Sequence, residues 1–194
     1  MNTTASSGVQ TRTRRLGRVL LAGIVAAAGA VALIQTAQAG PTDTAGVQVP
    51  TGNKVFLVGH GVGVQIYSCT STQTGFAWSF VAPRANLYGD NGKLIITHFG
   101  GPTWQAKDGS KVVGRLDAPP LMVDRTAVPW LRLAAASTAA GPDGDRLAGT
   151  TFIQRLSTVG GIAPPAAECN AAAAGTVREV PYTADYYFWK KTGA

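Results

Sequence analysis

Two tight turns constrain this chain more than any other feature. Asp90-Asn91-Gly92 stands between Leu87-Tyr88 and Lys93-Leu94, and Asp108-Gly109 stands between Trp104–Lys107 and Ser110–Leu116. Both are residue sets that reverse a chain with the twist of a β-hairpin, and Asp108-Gly109 is read as a two-residue turn. Leu94 to Phe99 alternates with a period of two, the mark of a strand. Both its faces are largely apolar, which places it centrally in a sheet. Gly100-Gly101-Pro102 ends it, since proline donates nothing to a ladder. Two such turns close together predict an antiparallel meander.

The rest of the chain repeats the pattern. Val55–Val58 and Val62–Ser68 read as two strands or one bent strand. In GFAWSFVAP, Phe76, Trp78 and Phe80 share a face and Pro83 stops the run. Asp117–Asp124 reads as loop plus a short strand, Val128–Ala134 as a strand, Ser137–Arg146 as a surface loop, and Thr151–Ser157 as a strand. Val177–Val180 and Thr183–Trp189 close the chain. Only PAAECNAAAA, 165–174, has good helix propensity, and it is short enough to need tertiary support. The expected fold is all-β, an antiparallel β-sandwich or barrel-like meander with at most one or two short helices; the alternative is α+β with one helix across an open sheet.

Ahead of this domain, Arg12, Arg14, Arg15 and Arg18 precede an uncharged apolar run from Val19 to Ile34 and then Ala37-Gln38-Ala39. That order is a secretory signal peptide over 1–39, cleaved after Ala39. The rival, a retained anchor, is disfavoured because the apolar run is shorter than the roughly 20 residues a spanning helix needs. Residues 40–53 read as a mobile leader and 54–194 as a single β-rich domain. The protein is expected to be exported, periplasmic or extracellular, with no membrane span after cleavage.

The export signal changes what the charge means. The chain carries +7, from seventeen Lys and Arg against ten Asp and Glu. Four arginines leave with the signal, so thirteen against ten remain, a balance of +3. These charges are scattered, so nucleic acid is excluded as a partner. In an exported chain the two cysteines, Cys69 and Cys169, are expected to form a disulfide rather than a redox pair or half of a metal site.

Chemistry is sparse. Gly59-His60-Gly61-Val62-Gly63 follows a strand, but the dinucleotide fingerprint needs a third glycine three residues after Gly61, where Val64 stands. The residues that follow are β-like rather than helical. No nicotinamide, flavin or other cofactor is expected. His60 and His98 lack the spacing of metal ligands. Ser110, His98 and Asp108 assemble a hydrolase triad on paper only, without a nucleophile elbow. Asp124, Asp143, Asp145 and Glu168 form no paired-carboxylate pattern. Among the aromatics, Trp78 and Trp189 are expected in the core. Trp104 and Trp130 follow prolines or glycines, where exposure is easier. The candidate ligand surface is therefore His98, Trp104, Gln105 and Asp108, with His60 as neighbour, and a carbohydrate, peptide or envelope component as partner. The leading reading is a non-enzymatic binding or envelope-associated domain. The alternatives are an extracytoplasmic, hydrolase-like enzyme or a metal-binding protein using His98 and His60.

Four blocks together carry a resemblance: VPTGNKVFLVGHGVGVQIYSC (49–69), residues 75–114, GDRLAGTTFIQRLSTVGGIAP (144–164) and VPYTADYYFWK (180–190). They resemble domain-of-unknown-function family 3455, found in bacteria and fungi. The resemblance implies a single exported domain and no particular activity. Some fungal relatives carry a malate-dehydrogenase label, which the missing fingerprint does not support here.

Overall fold

The computed structural model describes residues 46–193. The expected signal peptide and the leader up to residue 45 lie outside them. Eight strands run β1 (Asn53–Thr72), β2 (Gly75–Tyr88), β3 (Leu94–Phe99), β4 (Thr103–Ala106), β5 (Lys111–Leu116), β6 (Leu131–Ala139), β7 (Phe152–Gly160) and β8 (Val177–Lys191). Each pairs antiparallel with the next, and β8 returns to β1, closing a barrel. Of the two architectures expected, the chain adopts the barrel, in which every strand has a neighbour on both sides.

Several local expectations are corrected by neighbours distant in sequence. Pro83 does not stop β2, which runs through it. The ladder to β3 begins only at Ala85, so the missing N–H of Pro83 faces no partner strand. Pro181 likewise sits inside β8, one residue beyond the last β7 pairing at Tyr182, so two expected strands are one. β6 extends to Ala139, into the expected loop. Both diagnostic turns are three-residue loops, not two. In each, the residue before the loop accepts from its glycine (Gly89 from Gly92, Ala106 from Gly109), and the glycine takes positive φ.

The expected helix over 165–174 is two single 3-10 turns, Ala166–Glu168 and Ala171–Ala173. Cys169, between them, is fixed to β1 by the Cys69–Cys169 disulfide, whose Cα atoms lie 5.4 Å apart. Asn170 is extended and caps the second turn by accepting from Ala172 N. Alanine propensity cannot nucleate a helix across that tether.

The lower barrel is filled by Leu87, Ile96, Val112, Ile153 and Phe188, and Leu147 from the β6–β7 connection closes that end, fully buried. Of the leader expected to be mobile, the described part is seated on the outer wall. Val47 is buried, its carbonyl accepts from Gln154 Nε2 at 2.7 Å, and the Gln48 carbonyl accepts from Arg132. Trp189 belongs to this outer layer, donating to Gln154 Oε1 at 2.9 Å. Trp78 lies on the β1–β2 hairpin and donates to the Pro165 carbonyl at 3.2 Å. Both were expected in the core and both are only half-buried. The outer wall carries ion pairs, Arg84–Glu179 at 2.6 Å and Arg132–Asp117 at 3.0 Å. Among the described residues no helix is long and apolar enough to cross a membrane.

Candidate functional site

The site forms because the barrel is filled unevenly. On β1 the inward positions are Gly59, Gly61, and then Gln65, alternating with outward His60 and Val62. A Cβ on Gly61 would meet Tyr186 Cε2 at 2.8 Å, so the ring of Tyr186 occupies the space a side chain would take. On β5, Gly114 does the same for Trp104, whose Cζ3 lies 3.1 Å from where a Cβ would be. These rings form a floor, and above them the barrel is unfilled. The cavity measures about 530 Å³, inside the range of small-molecule sites, roughly 300–1,000 Å³. Pro83, Pro102, Leu131 and Leu133 line it, and Phe80, Val81 and Leu116 stand at its mouth, each more than half exposed.

The floor is polar. His98 stacks on Trp104 with ring centroids 4.2 Å apart and planes 5° from parallel, and both meet Tyr186 edge-on. His98 Nδ1 donates to the Thr103 carbonyl at 2.9 Å, which assigns the neutral tautomer. Burial lowers its pKa to about 4, and the nearby Arg155 charge acts in the same direction. The Tyr182 and Tyr186 hydroxyls bond each other at 2.9 Å. Burial pushes both pKa values up, against the opposing pull of the Arg155 charge. Arg155 is buried, and its Nε and Nη2 donate to the Pro129 carbonyl at 3.2 and 2.8 Å. Among the described residues it pairs with no carboxylate. Gln65 Nε2 and Trp104 Nε1 are buried without a well-formed hydrogen bond among the described residues, with the Tyr182 hydroxyl beside Gln65. Among the described residues no acidic side chain lines the cavity.

The candidate residues read from the sequence are divided by this geometry. His98 and Trp104 come together, as a cross-strand pair, but inside the barrel. The expectation that Trp104 turns outward is corrected: it is 1% exposed. The Gly-Gly-Pro break frees only the β3–β4 loop, because Trp104 already lies in the β4 ladder opposite His98. Gln105, its neighbour, points to the other face of the wall and is outside the cavity. Asp108 serves the closed end. It accepts from Ser110 Oγ at 2.6 Å, Ser110 N at 3.0 Å and Arg146 N at 2.9 Å, bonds that hold its pKa low. The paper triad of Ser110, His98 and Asp108 is therefore not assembled, since the partner of His98 is a backbone carbonyl.

His60 is on the outer wall and does not meet His98. Its Nδ1 bonds Asp185 Oδ1 at 2.7 Å and its Nε2 bonds Asp90 Oδ1 at 2.9 Å. These carboxylates raise its pKa, Asp90 most. They bond opposite ring nitrogens rather than converging on a point. Among the described residues no three His, Cys, Asp or Glu side chains are grouped as metal ligands.

Gln65, Arg155 and Tyr186 were missed in the sequence. Parity carried a signal for two of them. Gln65 continues the glycine positions of β1, and Arg155 shares the face of Ile153, a charge at a core position.

Residues 50–190 match the model of a family described as "Protein of unknown function (DUF3455)". No curated protein and no solved structure matches the chain.

Proposed function

The chain belongs to the DUF3455 family, and for this member we propose a non-enzymatic role: an exported barrel that encloses one small, largely apolar molecule. The observation that carries the reading is the cavity of about 530 Å³ with apolar walls over a floor of unpartnered donors. An eight-stranded barrel is just wide enough either to fill with side chains or to hold one small ligand. Here glycines and inward rings fill the lower part and leave the upper part open. Export is supported by the basic, apolar and Ala-x-Ala pattern of 1–39 and by a disulfide, which persists in oxidising compartments.

The test is a titration of the full chain with N-phenyl-1-naphthylamine, a neutral apolar fluorophore. Saturable binding near one per chain is expected. Leu131→Trp places a ring in the cavity wall and should abolish the signal while the fold, followed by circular dichroism, survives. Equal binding by the folded variant, or no saturable binding by the native chain, would defeat the reading.

A further inference from the structure

The floor of the cavity is built for a charge that the protein does not supply. Arg155 carries a guanidinium charge. It is 8% exposed, and the groups it meets are neutral: the Pro129 carbonyl, which accepts two of its hydrogen bonds, and the Tyr186 hydroxyl beside it. Buried charges are ordinarily paired, because desolvation without a counter-charge is costly. Among the described residues no Asp or Glu lines the cavity that Arg155 faces. Burial keeps His98 neutral although its bond to Thr103 acts the other way, and the Tyr182 and Tyr186 hydroxyls, also neutral, bond each other. Two further donors, Gln65 Nε2 and Trp104 Nε1, lie in the same lining at 2% and 1% exposure without a well-formed hydrogen bond among the described residues, the Tyr182 hydroxyl being the oxygen beside Gln65. The buried polar atoms left without a well-formed bond on the floor are thus donors, beside one cation, with His98 Nε2 as the acceptor among them.

Resting on the enclosed-molecule reading above, we propose that the ligand is an apolar monocarboxylic acid, its carboxylate set against Arg155, Gln65 and Trp104 and its hydrocarbon body against Leu131, Leu133 and Pro83. A carboxylate accepts several hydrogen bonds through two oxygens and pairs well with a guanidinium fork. One buried cation matches one negative charge, which favours a monoanion over a phosphate dianion. The other cation in the lining, Arg115, is exposed at the rim, where water screens it.

Decanoate and decanol differ at the head alone and give a direct test by calorimetric titration of the full chain at pH 8. Decanoate should bind roughly tenfold or more tighter than decanol, the size expected of charged hydrogen bonds. Gln65→Met should weaken decanoate and leave decanol unchanged or improved. Arg155→Gln, which keeps an N–H for the Pro129 carbonyl, should erase the preference; if it does not fold, Gln65→Met carries the test alone. Equal affinity for both probes, or tighter decanol, overturns the anion assignment and leaves the cavity reading standing. So does binding of the naphthylamine with neither ten-carbon probe. Failure of all three probes removes both.

Discussion

Replacing Trp104 by Ala tests the placement on which the cavity depends. The indole is 1% exposed, stacks on His98 at 4.2 Å, and meets Tyr186 and Phe188 edge-on at 5.8 and 6.2 Å. Gly114 gives its neighbours no side chain with which to refill the space. Truncating a buried tryptophan costs about 3–5 kcal/mol. For a domain of this size each kcal/mol moves Tm by about 2–4 °C, so the loss should be roughly 6–20 °C. A surface tryptophan would cost about 0.5 kcal/mol or less. Differential scanning calorimetry reads the shift, and urea unfolding with an unchanged slope confirms that stability moved rather than the unfolded state. The same substitution hydrates His98, whose ring should titrate closer to 6.5 than to about 4. A Tm within about 2 °C of the native value, with the His98 titration unmoved, would refute the packing argument.

The His98 ring itself makes stability depend on pH. Its folded pKa is about 4 against 6.5 unfolded, so the unfolded chain binds the extra proton, and stability present above 6.5 is lost as pH falls toward 4. The full loss is on the order of 3 kcal/mol, and His98→Gln should flatten that part of the profile; an unaltered slope would contradict the assignment. His60 behaves oppositely. Its raised pKa means a contribution present below 6.5 that fades as pH rises through the folded value. With the ring half exposed the stability effect should be small. Nuclear magnetic resonance should find its titration above 6.5 and moved down by Asp90→Asn; the same midpoint in that variant would show that Asp90 is not the partner. Reducing the Cys69–Cys169 bond, which spans 100 residues, should cost on the order of 4–5 kcal/mol in the chain-entropy model. Thermal melts with and without reductant, and alkylation followed by mass spectrometry, check it; two alkylatable thiols in unreduced protein would count against the bond.

What could be read from the sequence followed how local its causes are. The hairpins at 89–93 and 106–110 were legible because their loop residues dictate a reversal within a few bonds. The Cys69–Cys169 tether was legible, but that it divides 165–174 into two turns rather than supporting a helix depends on where β1 holds Cys69, 100 positions away. Pro83 and Pro181 were misread for a similar reason. Whether a strand proline breaks a ladder depends on where the neighbouring strand ends, at Ala85 in one case and Tyr182 in the other. The tryptophans show a further limit. Period two separates two faces without saying which is inside, and β3 is apolar on both. Trp104 went inward and Trp189 outward because closure of β8 on β1 assigns the faces, and no single strand records that.

Packing alone does not account for the residues at the polar floor. Stability would be served as well by apolar side chains of similar volume at 65 and 155, since replacing buried polar or ionic groups by well-packed hydrophobic ones is often neutral or favourable. Gln65 and Arg155 occupy inward positions on β1 and β7 nonetheless, flanked on those strands by glycine and isoleucine. Nor do they serve each other: Gln65 stands beside the Tyr182 hydroxyl, and Arg155 reaches the Pro129 carbonyl and stands beside the Tyr186 hydroxyl, all of them neutral. Their placement costs stability in the protein as it stands and regains it only when an acceptor enters the space above them. Gly61 and Gly114 point the same way. By admitting Tyr186 and Trp104 they lower the floor and leave the upper barrel unfilled. Donors without acceptors, and a cavity directly over them, are two independent departures from an economical core, and one bound anion would explain both.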